Sequence, residues 1–325
     1  MALVTRDVDN FLGMLIDIGG GGYSNKTPLF DLCASIGNIG RTNKMSIPMS
    51  VGTTLIIGSQ DVVTEAVSGA AITPAVYDRA QVYNMMEIYA KTIDVTAIKT
   101  ATWGERGGIN AMGASVPISE VDYQVMETLN EIKRDIEFSM IQGTYVGDGG
   151  SAVASQQRGL LEACASSVVA AGNVDLTIAL INELITDMTS NGAKFKMPVI
   201  LAGMREINLI NQLYGYALQS NDIGGTNVTT INTVQGPVRI VFEPQTLAGT
   251  LLLVDLAYLT PTFLALPKVL GGSQPNASDL NSGLDVAVYD IASGGASIKK
   301  QIQTVVGLNY SSELLHGKIT GLKTS

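Results

Sequence analysis

One run of apolar residues at helical spacing limits what this chain can fold into more than any other feature. Val121, Val125, Met126, Leu129, Ile132, Ile136 and Met140 recur mostly at intervals of three or four. That spacing places them on one stripe of a single helix and leaves the charges to the other side. Ser119 stands at the N-cap position behind Pro117, Glu120 and Asp122 complement the helix dipole, and Gly143 supplies a stop. At about 1.5 Å per residue the predicted helix, 119–142, spans roughly 35 Å. Such a length is unusual in a compact enzyme. It suits a strut.

The chain has 325 residues, 46% hydrophobic and 15% charged. These values exclude general disorder and imply a large core, in two regions, or surface that partners cover. The formal net charge of -9 argues against a dedicated nucleic-acid binder, which needs a basic face. Cys33 and Cys164 are too few for a disulfide framework and read as buried small hydrophobes in a reducing compartment. The first residues turn acidic at once, unlike a secretory leader. The most apolar stretch, 247–266, is interrupted by Asp255 and Pro261 and reads as two buried strands, not a membrane span. A soluble, intracellular protein with no membrane contact is expected.

Residues 1–41 read as a loosely patterned arm, with a short helix within 9–18 and another short element from Thr27. From 42 to 103 the pattern is strand-like, leading out over 44–51 and returning over 79–95 with Gly52, Gly58 and Gly69 between. A long out-and-back excursion has little use inside one compact domain but serves as an arm that lies on a neighbouring subunit. Its apolar residues Val62, Val63, Val67 and Ile72 are therefore candidates for cover by that neighbour, with Trp103 anchoring the base. Arg106, in the Gly-rich hinge 104–108, joins the interface candidates.

Beyond the long helix, a Gly-rich link leads to a short element at 159–165, and Asp175 is expected to cap a helix carrying Leu180, Ile181, Leu184 and Met188. A strand at 197–202, a helix at 204–214 and a polar loop at 220–232 follow. Strands are then expected at 238–242, 250–254, 262–266, 285–290, 297–307 and 313–322. Helices and strands alternating after an all-strand excursion give an α+β fold with a mixed sheet.

The residues that carry chemistry elsewhere have plainer readings here. The glycines at 19–22 and 147–150 lack the Gly-Lys-Ser/Thr of a phosphate loop and read as linkers. His316, the single histidine, lies in a terminal strand away from both cysteines, so a packed or hydrogen-bonded role outweighs a metal site or triad. Glu131, Lys133, Arg134, Asp135 and Glu137 are spaced for solvated pairs or contacts to a neighbour. Arg134 and Glu137 are therefore interface candidates. Asp255 is expected at a strand end with its carboxylate at the surface. No catalytic residue, cofactor or metal is expected.

Four features in sequence order carry a resemblance. They are the return strand Asn84–Val95, the helix segment Glu131-Ile132-Lys133-Arg134-Asp135-Ile136-Glu137, the link Arg158-Gly159-Leu160, and the closing Leu315-His316-Gly317-Lys318-Ile319-Thr320. Together they resemble a tailed-phage major capsid protein of the Hong Kong 97 type, in the SU-ten-like branch, over nearly the whole chain. The resemblance implies an N-terminal arm at 1–41 and an extended β-hairpin loop at 42–103. A peripheral domain at 104–173 would carry the spine helix 119–142, an axial domain with a mixed sheet would occupy 174–268, and peripheral strands would return over 269–325. With so short an arm, no fused scaffolding domain is expected ahead of the shell fold. The implied function is self-assembly, through hexamers and pentamers, into an icosahedral virion shell around double-stranded DNA, formed in the host cytoplasm. The implied partners are the chain itself, portal, scaffolding or decoration proteins, and DNA held by weak non-specific contact. The rival readings are an encapsulin-like compartment of the same fold and an α+β enzyme using acidic residues.

Overall fold

The computed structural model describes residues 10–17, 27–49, 82–101, 120–148, 154–215, 229–233, 235–268, 273, 278, 280–293 and 295–324. Its helices are α1 (Leu12–Asp17), α2 (Pro28–Ile36), α3 (Ala97–Ala101), α4 (Glu120–Gln142), α5 (Leu160–Ala163), α6 (Ile178–Ser190) and α7 (Met204–Gly215). The strands are β1 (Gly40–Thr42), β2 (Ser46–Met49), β3 (Val82–Met85), β4 (Glu87–Thr96), β5 (Val168–Val174), β6 (Pro198–Ala202) and β7 (Thr230–Thr233). They continue with β8 (Gly236–Phe242), β9 (Leu251–Asp255), β10 (Thr260–Leu264), β11 (Val286–Ile291), β12 (Ser297–Asn309) and β13 (Gly317–Leu322).

Helix α4 is the strut that its spacing predicts. Val121, Val125, Leu129, Ile132, Ile136 and Met140 are all buried, and each such side chain contributes about 1.5–3 kcal/mol through removal from water. Met126 departs from the expectation and is 37% exposed. At 100° per residue it falls about a quarter-turn from the centre of the stripe. Gly143 ends the helix, its N–H donating to Ser139 O at 2.9 Å. The chain then crosses itself, with Gly159 N donating to Gly143 O at 2.8 Å. A side chain at Gly143 would meet Gln157 O at 2.6 Å, and one at Gly159 would meet Gly143 N at 2.5 Å. Only glycine fits either position.

Two larger sheets divide the strands. In the first, the long β12 pairs antiparallel with β4 on one edge and with β11 and β10 on the other, and β1 adds parallel to β10. Helix α4 packs on β4 and β12. The second sheet runs β5-β13-β9-β6-β8-β7 and is mixed, with β5/β13 and β6/β8 parallel. Its central strands β6 and β9 are apolar at successive positions because both faces are covered. Val199, Leu201, Leu252 and Val254 face the core that includes α4. Ile200, Ala202, Leu251 and Leu253 face a second core with Ile181, Leu184, Ile185 and Met188 of α6. The stretch 247–266 is thus two buried strands, as its interrupted hydrophobicity predicts, and among the described residues no helix is long and apolar enough to cross a membrane.

Several expectations are corrected. Where it is described, the segment 1–41 holds two short helices near the expected places, and it packs into the core more firmly than its loose patterning suggests: Leu15, Leu29, Phe30 and Cys33 are fully buried, and Phe30 meets the ring of Phe263 edge-on at 6.3 Å. Lys133 is buried as well, and its ammonium group binds both short helices through Asp31 Oδ1 at 2.6 Å and Ile16 O at 3.1 Å. β13 does not return to the α4 sheet but joins β5 and β9, whereas β10, expected beside them, pairs with β12. Helix α6 starts later than expected and is capped by Thr177, whose hydroxyl accepts Leu180 N–H at 3.3 Å. Asp175 instead pairs with Arg205 at 2.8 Å. The last predicted strand opens with a single 3-10 turn at Glu313–Leu315.

Candidate assembly surfaces

The root of the predicted excursion is described, and it is tightly held. β2 and β3 pair antiparallel with Met49 opposite Val82, so the chain leaves and re-enters the described fold at adjacent positions. Asn84 of β3, fully buried, fills all four hydrogen-bonding places of its side chain. Its amide N–H groups donate to Leu308 O at 2.7 Å and Arg158 O at 3.2 Å. Its carbonyl accepts Arg158 N–H at 2.7 Å and Met85 N–H at 3.0 Å. Gln157 repeats the device beside it, accepting Leu308 N–H at 2.8 Å and donating to Tyr89 Oη at 3.0 Å. The strand leaving the excursion, the link after α4 and the end of β12 are thereby clasped at one point.

Arg158 turns its side chain away from this clasp. Its guanidinium lies 4.7 Å from the Tyr145 ring centroid and pairs with Glu162 at 3.2 Å. Asn84 and Arg158 belong to two of the four sequence features noted above, and the fold joins them directly. Their roles were missed because a lone amide inside Tyr83-Asn84-Met85 gives no local sign of its partners.

Of the interface candidates, Val62, Val63, Val67, Ile72, Trp103 and Arg106 lie outside the described residues. Arg134 is part-exposed on α4, its Nε 3.4 Å from Asn130 O of its own helix. It shares an outward stripe with Tyr123 (43% exposed), Met126 and Phe138 (48% exposed), which all fall on one side at helical spacing. Beside the stripe, Lys91 of β4 bridges Glu131 at 3.0 Å and Asp135 at 2.8 Å, fastening helix to sheet.

Glu137 is corrected. It is neither solvated nor open to a neighbour but fully buried, accepting Leu29 N–H at 2.7 Å and Phe30 N–H at 2.9 Å. These are orphan donors at the first turn of α2, where Thr27 makes no side-chain cap. A carboxyl group from another helix therefore caps α2 and meets the positive end of its dipole. Burial and the nearby Glu243 push the Glu137 carboxyl well above its ordinary range.

The single histidine, Asp255 and both cysteines are all held inside the fold. His316 is fully buried, its Nδ1 accepting Asp255 N–H at 3.3 Å, so that Nε2 carries the proton and donates to Tyr310 O at 2.9 Å. Burial lowers its pKa to about 4 and keeps the ring neutral. Asp255, expected at the surface, is buried too. Its carboxylate accepts N–H groups of Lys196 at 2.6 Å, Met197 at 3.0 Å and Ala257 at 3.0 Å. Both cysteines are buried and free, with burial pushing each thiol up to about 12. Among the described residues no group of three or more His, Cys, Asp or Glu is placed to hold a metal. An open cleft of about 420 Å³ is lined by Val121, Asp122, Asp290, Ile291, Lys299 and Lys300. Its lysines are already paired, Lys300 with Asp290 at 3.1 Å and Lys299 with Asp94 at 3.2 Å.

Compared with known families, residues 24–323 match the model of the SU10 major capsid protein. The chain belongs to that family. A capsid subunit of cyanophage A-1(L) is similar in structure, with a TM-score of 0.65 at 14% identity, covering 98% of this chain and 97% of that one. The encapsulin of a holo-SrpI complex from Synechococcus elongatus has a TM-score of 0.54 at 12% identity, covering 90% and 88%. A capsid subunit of a native GTA particle has a TM-score of 0.52 at 13% identity, covering 88% and 89%. A search of curated protein sequences finds no match. The fold is the Hong Kong 97-type capsid fold, and the chain is a shell-forming major capsid protein of the virion. Family and fold imply a structural role.

Proposed function

We propose that this major capsid protein builds an icosahedral head from hexamers and pentamers around the double-stranded DNA of a tailed phage, assembling in the host cytoplasm. In this reading the segment 42–103 overlaps a neighbouring subunit. The sheet beneath α4 forms the peripheral part of the wall, and most of 174–268, with α6 and the second sheet, forms the axial part that meets at symmetry axes. Portal, scaffolding or decoration proteins complete the head, and a chain of net charge -9 touches DNA only weakly.

The observation that carries the reading is the clasp of Asn84 with Arg158. A hairpin whose two legs are locked to the body at one point transmits load from a neighbour into the sheet and α4. The family match favours a phage head over an encapsulin-like compartment, which shares the fold. The test is purification with and without the proteins of its own gene neighbourhood, followed by negative-stain microscopy and sedimentation. Closed shells that protect DNA from nuclease are expected. A compact monomer under every salt condition, or shells that carry a protein cargo and no DNA, would overturn it.

A further inference from the structure

Glu243 follows β8, and its backbone N–H donates to Ala202 O at the end of β6 at 3.0 Å. Its side chain is fully buried. One oxygen accepts Gln245 N–H at 3.0 Å, and the other, Oε2, has no donor among the described residues. The group within its reach is the carboxyl of Glu137, itself fully buried. Two ionised carboxylates in contact in a dry site repel strongly, and no Lys or Arg forms an ion pair with either among the described residues. Cys33 faces Glu137 from α2, but its buried thiol stays neutral. Lys133, one turn earlier on α4, is engaged by Asp31 and Ile16 O. One proton resolves all of this: it gives Oε2 its missing hydrogen bond and removes one charge.

We propose that Glu137 and Glu243 share a single proton near neutral pH, and that this proton fastens α4 and α2 to the second sheet as a pH-sensitive joint. Glu137 accepts two N–H bonds from the N-terminus of α2 and Glu243 accepts one from Gln245, so the proton belongs to the pair and not to either carboxyl alone. Burial raises the pKa of both carboxyls, so the folded state keeps a proton that the unfolded chain gives up. Stability from this joint is complete below the unfolded carboxyl value and is lost as pH rises through the folded one.

The experiment uses the full chain, unassembled, in metal-free buffer, so it stands apart from any result on shells. Urea unfolding is followed from acidic to alkaline pH for the wild type and for Glu243→Gln, whose amide can donate a hydrogen bond to Glu137 without a titrating proton. The wild type should lose about tenfold in folding constant per pH unit relative to the variant within the window. Infrared spectra of the wild type should keep a protonated-carboxyl band near neutral pH, lost together with that stability. Exchange of the Leu29 and Phe30 amides should quicken at the same pH. The infrared result decides the matter even if Glu243→Gln does not fold. Parallel pH profiles for the two proteins, no protonated carboxyl near neutrality, or a divalent cation that restores stability after chelation would overturn the proposal.

Discussion

Asn84 and Arg158 exchange two hydrogen bonds, side chain to main chain, with Asn84 Nδ2 donating to Arg158 O at 3.2 Å and Arg158 N donating to Asn84 Oδ1 at 2.7 Å. The amide of Asn84 stands in for a strand where β3 meets the link after α4. A β-ladder there would fix a longer stretch of both segments. A single buried amide instead joins the two segments at one point.

Asn84→Ala should therefore destabilise the unassembled subunit by about 3–5 kcal/mol, because Leu308 O, Arg158 N and Met85 N lose a buried partner together. Tyr83→Ala, one residue away and 43% exposed, should cost less than about 1 kcal/mol. Denaturant unfolding of the two variants checks the contrast. Equal effects would show that the clasp carries no special weight.

The two sides of α4 should respond very differently to truncation. Leu129→Ala opens a cavity at a fully buried position and should cost about 2–5 kcal/mol. Lys91→Ala breaks two ion pairs with half-exposed acids, Glu131 and Asp135, and should cost no more than about 1 kcal/mol. The Lys91 effect should shrink further in high salt while the Leu129 effect stays. Thermal unfolding at low and high ionic strength separates the two.

Sequence legibility followed the range of the interactions. The buried stripe from Val121 to Met140 depends on spacing within one helix, and the two strands flanking Asp255 depend on local hydrophobicity, so both could be read. Glu137 could not, since its partners Leu29 and Phe30 lie far away in sequence and an acid at i+4 from a lysine looks like any solvated pair. Asp255 failed for the same reason: what satisfies it are backbone N–H groups of Lys196 and Met197 on another segment. Strand β5 was missed because Ala-Ala-Gly-Asn at its centre dilutes the β-propensity of its three valines, and the segment is held by its parallel partner β13. Of the assembly surfaces, the strut was legible. The clasp was not, because a hydrogen-bonding amide has no periodicity.

His316 should make the subunit acid-sensitive in a defined window. Its folded pKa of about 4 lies below the ordinary value of 6.5, so the unfolded chain binds the extra proton between these limits. Stability from the neutral ring is fully present above pH 6.5 and falls toward pH 4, by about 3 kcal/mol in all. Carboxyl titrations overlap this window, and the Glu137–Glu243 pair works in the opposite direction, so the measurement is a difference. His316→Gln should be less stable than the wild type at neutral pH, and the gap should close as pH falls to about 4. A gap that stays constant with pH would mean that the ring does not titrate on unfolding as described.

The outward stripe of α4 gives the sharpest separation of folding from assembly. Tyr123, Met126 and Phe138 are each more than a third exposed, so charge placed there meets water in the isolated subunit and should change its stability by less than about 1 kcal/mol. A Met and two aromatics beside Arg134 on one helix side have the composition of an interface core. In a closed wall a neighbouring subunit should cover them, and Phe138→Glu would then bury an unpaired carboxylate at every copy of the contact. The variant should purify as a folded subunit with an unchanged unfolding midpoint and fail to close shells under conditions where the wild type succeeds. Sedimentation and negative-stain microscopy read the second half, and denaturant unfolding the first. Normal shells from Phe138→Glu would place this side of α4 against solvent, leaving the contacts between subunits to other surfaces.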